Sequence, residues 1–287
     1  MLDQEPLVPS DRIELVWHGI DHAEGLVISD DGVVWTGGEL GQIYRGRLDG
    51  EPEHVADVPG RAFGFALDGT GNAYVATTDE SGLYRVTPEG RVDLVSRGTA
   101  ERPVVVPNHP AFLPDGTLLF TDSGNWGNAD GCTYAVTADG ETRVADTTAS
   151  SFTNGLTVSP DGATLAVVES TLPGVSALTI GPAGSLGDRR VLVEMPGTVP
   201  DGVAYDELGR LLIACWAPDA LFLLEPDGLR LLAHDPFRIM LHEPTNVAFV
   251  PGTQRMVTAN YGERFLSVLE HDARGASLPR PEFAWAP

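Results

Sequence analysis

Short apolar runs, bounded by Gly, Asp or Pro, follow one another through nearly the whole chain. The stretch SFTNGLTVSPDGATLAVVE, Ser151 to Glu169, shows the form: a polar residue with Gly opens an apolar run, an Asp-Gly closes it, and a second apolar run follows. Runs this short, without helical spacing, predict β-strands joined by tight turns. Asp31-Gly32, Asp115-Gly116, Asp139-Gly140, Asp161-Gly162 and Asp227-Gly228 supply the positive φ that hairpin turns need.

The same form recurs with its polar position, here termed the slot, at Glu24 (EGLVISDDGVVWTG), Phe63 (FGFALDGTGNAYVA), Asn108 (NHPAFLPDGTLLFTD), Asn154, Asp201 (DGVAYDELGRLLIA) and Asn246 (NVAFVPGTQRMVTA). Successive slots lie 39, 45, 46, 47 and 45 residues apart. A four-stranded unit of about 40 to 47 residues is the period of a propeller blade. The predicted fold is therefore all-β: a six-bladed β-propeller with four-stranded antiparallel blades around a central channel. Strands of blade one are expected near 24–29, 33–37, 42–47 and 53–58. Blade six supplies three strands, the last near Phe265 to Glu270, and the N-terminal segment Arg12 to His18 is predicted to close it as the fourth. The Pro- and Ala-rich tail from Arg274 to Pro287 is expected on the surface. With no break in composition, residues 1–287 read as one domain.

Charge narrows the function classes. The balance of 18 basic and 41 acidic residues gives −23, which repels phosphate backbones and anionic lipid. A small-molecule partner is expected, with no nucleic acid and no membrane, and the oligomeric state stays open. All 18 basic residues are Arg, which excludes lysine Schiff bases and the P-loop lysine. Cys132 and Cys215 are far apart, pointing to a reducing compartment rather than a disulfide framework. The start, MLDQEPLVPSDRIELV, shows no signal-peptide pattern and no apolar run is long enough to span a bilayer, so a cytoplasmic protein is expected.

The register also carries the candidate chemistry. If each inner strand lines the channel, the six slots converge at one mouth, and five of them are oxygen donors. Two carboxylates and up to three amides form a hard oxygen set suited to Ca²⁺, Mg²⁺ or Mn²⁺. Taken singly, Asn154-Gly155 and Asp201-Gly202 read as turn dipeptides. Each, however, precedes an apolar run with its own turn downstream. Phe63 reads as a pocket wall, and His109, Asn246 and His22 as substrate contacts beside the ring. His242 and Glu243 enter blade six and are further candidates to line the pocket. Core packing is favoured for Trp126 and Trp216 over a place at the mouth. The spacing His18-x₃-His22-x-Glu24 suggests a zinc helix only superficially, because Gly19 interrupts it. Ser123 lacks a nucleophile elbow, and no GxGxxG fingerprint follows a strand.

Several stretches resemble the gluconolactonase, regucalcin (senescence marker protein) and luciferin-regenerating family of six-bladed propellers. They are the Glu-Gly at Glu24, PNHPAFLPDGTLLFTDSG around Asn108, TNGLTVSPDG around Asn154 and PDGVAYDELGRLLIACW around Asp201. The likeness runs from about Glu24 to Asn260. It implies one divalent cation, Ca²⁺ first, with Mg²⁺, Mn²⁺ and Zn²⁺ as alternatives, held by one Glu, two Asn and one Asp. By motif these fall on Glu24, Asn108, Asn154 and Asp201. It further implies hydrolysis of sugar-acid lactones and related esters, the similar diisopropyl fluorophosphatase acting on organophosphates. The expected chemistry is metal-assisted addition of water, with Asp201 as general base or, alternatively, as nucleophile. Two positions depart from the family: His109 stands where an Asp is usual, and Val106 where regucalcin-like members place an Arg. Sugar specificity is thereby weakened. Two rival readings are a metal-free enzyme like strictosidine synthase, which GRAFGFALDGTGNAYVA at Gly60 to Ala76 also fits, and a calcium-handling propeller without turnover.

Overall fold

Strands that are sandwiched between two other sheets must be apolar on both faces, and the second strand of each blade has that composition. Ala73–Thr77 and Leu118–Asp122 are buried at every residue, whereas the outermost strand of blade one, Glu53–Asp57, is largely exposed. The computed structural model describes residues 1–285. Among them, 24 strands form six four-stranded sheets, five of them in simple sequence order and the sixth joining the first strand of the chain to the last three, the six-bladed propeller that the repeat predicts. In blade one the strands are Leu26–Ile28, Val34–Gly37, Gln42–Gly46 and Glu53–Asp57, all antiparallel. None of the described helical segments is long and apolar enough to cross a membrane.

The ring is closed by the two ends of the chain. Glu14–Val16 pairs with Leu266–Glu270, Glu14 lying opposite Val268 and Val16 opposite Leu266, and completes blade six. The seam is apolar, with Trp17, Val34, Val257 and Val268 in one cluster. Equivalent clusters fill the other junctions, such as Val27, Trp35, Phe65 and Val75 between blades one and two, and Leu212, Leu223, Val247 and Met256 between five and six. The six innermost strands are Leu26–Ile28, Ala62–Leu67, Pro107–Phe112, Thr153–Val158, Val199–Tyr205 and Pro244–Phe249.

The tail departs from expectation. Composition places Arg274 to Pro287 on the surface, yet the chain crosses the end of the channel where the inner strands finish. (Residues 286 and 287 lie outside the described residues.) Ala276 N–H donates to Tyr205 O at 3.0 Å, and Gly69 N–H donates to Pro281 O at 2.8 Å. Arg280 bonds to Ile28 O and pairs with Asp30. Phe283 and Trp285 are buried between blades two and three. The Phe283 ring meets Tyr74 at 5.5 Å and Phe112 at 5.3 Å, and the Arg85 guanidinium lies 4.7 Å from the Trp285 ring. Proline lacks an N–H, so the segment can lie across the channel with few unsatisfied donors, while its two aromatics fill a groove. Phe283→Ala is expected to lower stability by about 3 to 5 kcal/mol, read as a shift in the denaturation midpoint. A shift within error would show that the tail lies loosely on the surface.

Candidate active site at the channel mouth

Each slot sits at the opening of an inner strand. Phe63, Asn108 and Asn154 are second in their strands, Asp201 and Asn246 third, and Glu24 lies two residues ahead of its own. In five blades the ladder to the second strand slips at this point: between Ala62 and Phe65, Pro107 and Pro110, Thr153 and Leu156, Pro200 and Val203, and Pro244 and Asn246. Such a bulge frees a residue from the ladder and re-aims its side chain, here toward the channel.

The Gly after the slot has a packing cause. A Cβ on Gly25 would lie 2.1 Å from Phe63 O, on Gly155 2.6 Å from Asp201 O, and on Gly202 2.5 Å from Thr245 O. None of the three has a positive φ. Asn154-Gly155 and Asp201-Gly202 are therefore strand dipeptides at which neighbouring inner backbones touch, not turns. At Gly64 the neighbour is a side chain, His109 Nδ1 at 2.3 Å.

Loops entering the inner strands are held by polar residues at the ends of second strands. Asp122 accepts from Val105 N–H and Val106 N–H at 3.0 and 2.7 Å, and Glu169 from Ser150 N–H and Ser151 N–H at 3.0 and 3.2 Å. Asn260 Oδ1 accepts from His242 N–H at 3.0 Å. Ser123, buried, donates to Thr153 O and is thereby occupied.

The mouth is electrostatically unusual. Burial pushes the Glu24 carboxyl well above the usual carboxylate range, and the neighbouring Asp201 charge raises it further while Arg61 opposes. Burial also lifts Asp201, to about 8, and a hydrogen bond from Asn154 partly offsets it. With the Asn154 amide beside Asp201 and the Asp201 charge raising Glu24, Asp201 is the first of the pair to carry charge. Glu24 Oε2 is buried without a hydrogen-bond partner. Asn108 is buried at the equivalent position of blade three, between Phe63 and Asn154 on the ring. Among the described residues no three His, Cys, Asp or Glu side chains gather as a cluster; the ring contributes two carboxylates, and its other oxygen donors are amides.

The remaining candidates divide between the two sides of the ring. His109 Nδ1 lies 3.3 Å from Asn246 Nδ2, and both line a channel cavity of about 150 Å³ floored by residues 275–280. Burial lowers the His109 pKa to about 4, so the imidazole is neutral and accepts the Asn246 amide proton. His22 stays at the rim, 3.1 Å from Asp21 and 3.7 Å from Glu39. His18 packs against Phe265, the ring centroids 6.1 Å apart. His242 faces Glu263 at 3.6 Å. Trp126 and Trp216 depart from the expected core packing: they are 60% and 39% exposed.

Arg61 was not singled out by sequence. Its guanidinium bonds to Glu39 at 2.6 Å and lies over the rings of Tyr261 and Phe63 at 5.0 and 5.9 Å. Tyr261 OH also donates to Glu39, at 3.0 Å. The signal available was position: Arg61 stands two residues before the Phe63 slot, as Val106 stands before Asn108.

The family described as SMP-30/gluconolactonase/LRE-like region matches residues 22–259. The chain belongs to the SMP-30/gluconolactonase/LRE-like family. No curated protein matches it. Among solved structures, a gluconolactonase from Xanthomonas campestris is 22% identical, with a TM-score of 0.75 over 90% of this chain and 89% of that one. The calcium-binding protein regucalcin from Agrobacterium tumefaciens is 18% identical, with a TM-score of 0.76 over 98% and 99%. A luciferin-regenerating enzyme is 17% identical, with a TM-score of 0.75 over 94% and 98%. At these identities the likeness is one of fold, and the SMP-30/gluconolactonase/LRE-like fold carries several named activities.

Raised carboxyl pKa values make a stability prediction. Glu24 and Asp201 bind protons more tightly folded than unfolded, so metal-free protein is most stable below about pH 4 to 5 with respect to these groups and loses that stability as pH rises toward 8. Between pH 5 and 7 Asp201 alone is expected to account for a loss of roughly 3 kcal/mol, and Glu24 adds to it in the same direction. Denaturation of chelated protein as a function of pH measures it, and Glu24→Gln with Asp201→Asn should flatten the profile. Identical profiles would show that the two carboxyls do not face each other in a buried site.

Proposed function

We propose that the chain hydrolyses a lactone or related ester at the channel mouth, with a divalent cation bound by Glu24, Asn108, Asn154 and Asp201. The observation that carries this reading is the buried carboxylate pair with Glu24 Oε2 unpartnered. Two facing carboxylates with an unsatisfied oxygen fit a divalent ion, which would neutralise both and occupy the free lone pairs. Amide and carboxylate oxygens arriving from separate blades favour Ca²⁺, which tolerates irregular oxygen shells, over Mg²⁺, which demands a near-ideal octahedron. Family membership and the gluconolactonase and calcium-binding neighbours support the same class.

When bound, the cation would supply Lewis-acid polarisation of the substrate carbonyl and charge neutralisation of the oxyanion. The chain's own residues supply proton handling and position. Asp201, which the bound cation would hold ionised, accepts a proton from water as the water oxygen bonds to the carbonyl carbon. The acyl–oxygen bond then breaks, and Asp201 returns its proton to the departing alkoxide, leaving a hydroxy acid and the free carboxylate. Asn154, whose amide donates to Ser170 Oγ at 3.3 Å, lies beside Asp201 and favours its ionised form. Phe63 walls the blade-two side of the site, and Arg61, over its ring, places a positive charge beside Glu24. His109, neutral and bonded to Asn246, steadies the ring from below rather than moving protons near neutral pH. Two buried free thiols, Cys132 and Cys215, accord with a cytoplasmic setting.

Chelation is expected to abolish turnover of a lactone panel and Ca²⁺ to restore it. Asp201→Asn should lower kcat by about 10² to 10⁴ with the strand circular-dichroism signal intact. Full turnover after exhaustive chelation, or an active Asp201→Asn protein, would exclude the proposed chemistry.

A further inference from the structure

The surface around the mouth is divided by chemistry. Over blades six, one and two it carries Arg61, Glu39, Tyr261, His22 and Asp21, linked by hydrogen bonds and ion pairs. Over blades three to five the positions two residues before the slots are Val106, Phe152 and Val199, each half-buried. Trp126, 60% exposed, sets its ring edge-on to Phe152 at 4.7 Å. Its loop is fixed, because Asn125 donates to Asp130 from both backbone and side chain, each at 2.8 Å.

Exposed large apolar residues also collect at this end. Leu40, Val105, Trp126, Trp216, Phe237 and Ile239 all lie on loops that enter an inner strand or join a second strand to a third, or at the end of a second strand. Those chain segments emerge at the mouth. An open aromatic pair joined directly to the acid ring, Phe152 being two residues from Asn154, marks a ligand surface rather than scattered exposure.

We propose that the substrate is a lactone or ester bearing an apolar alkyl or aryl substituent, which lies on the Trp126–Phe152 wall while its carbonyl sits at Asp201. This rests on the hydrolase reading above and specifies its substrate class. A polyhydroxylated ring would press hydroxyls against Val106, Phe152 and Val199, whose side chains offer no hydrogen-bond partner, and an unpaired polar group there is strongly disfavoured. An alkyl group instead exchanges water for aromatic surface. The acidic chain disfavours the other apolar occupant, an anionic bilayer.

The test uses γ-alkyl-γ-butyrolactones of increasing chain length, with glucono-δ-lactone beside them, and measures kcat/KM in Ca²⁺. Calorimetric affinities of the matching unreactive γ-alkyl lactams are measured in parallel. Both quantities are expected to rise about twofold per methylene, as for a chain half-buried on an open wall, with the sugar lactone below the long-chain members. Trp126→Ala should flatten both series, whereas Leu94→Ala, an exposed apolar residue on an outer strand, should leave the slopes unchanged. Chain-dependent lactam binding that needs Trp126, without any lactone turnover, would uphold the wall and refute hydrolysis. Turnover with no chain dependence, or equal slopes in the two variants, would overturn the wall and leave hydrolysis standing. Co-sedimentation with phosphatidylcholine vesicles that is lost in Trp126→Ala would assign the surface to a bilayer and overturn the proposal.

Discussion

The backbones of neighbouring inner strands approach so closely at the mouth that no Cβ fits between them. With 2.1 Å between a Cβ on Gly25 and the Phe63 carbonyl, and 2.6 Å for Gly155 and Asp201, the ring is as narrow as the chain permits. A narrow ring is what brings side chains from positions 24, 154 and 201 into electrostatic and hydrogen-bond range. Bulges at the same level turn those side chains inward. His109 interrupts the glycine series in blade three, and there the contact passes from backbone to imidazole, which also meets Asn246.

Buried carboxylates elsewhere in the molecule are satisfied. Glu169 takes bonds from Ser150, Ser151, Ser176 and Arg189, and Asp122 from Val105, Val106 and Gly124. Those groups hold loops. Glu24 differs in having an oxygen with no donor and a second carboxyl beside it. A fold that satisfies its acids at the loops and leaves one unsatisfied at the ring concentrates electrostatic tension at one point, the usual mark of a site built for an occupant. The two ends of the channel are unlike in consequence: the loops at the mouth leave Trp126 and Trp216 exposed, and the far end is crossed by the tail through Arg280, Phe283 and Trp285.

The propeller, its seam and the level of the slots were legible because each blade repeats one register, and a repeated register fixes face and end together. What repeats poorly was hidden. Asn154-Gly155 and Asp201-Gly202, taken singly, read as turn dipeptides, since the contact that requires the Gly comes from the next blade, some 45 residues away. Phe283 and Trp285 belong to no repeat, and only the groove between blades two and three explains their burial. Arg61 could have been found by stepping back two residues from each slot, which aligns His22, Arg61, Val106, Phe152, Val199 and Pro244. The missing Arg at Val106 would then have appeared one blade earlier. Exposure of Trp126 was not readable, because it depends on how a Gly-rich loop between strands turns.

Calorimetric titration of Ca²⁺ into chelated protein near pH 7, repeated in buffers of different ionisation enthalpy, tests the ring most directly. A site made by Glu24, Asn108, Asn154 and Asp201 should bind one ion per chain and release more than one proton, because burial keeps both carboxyls largely protonated in the chelated protein and the ion would ionise the pair. Glu24→Gln should weaken binding and reduce that release. Absence of binding, or binding that neither releases protons nor responds to Glu24→Gln, would contradict a cation held at the channel mouth.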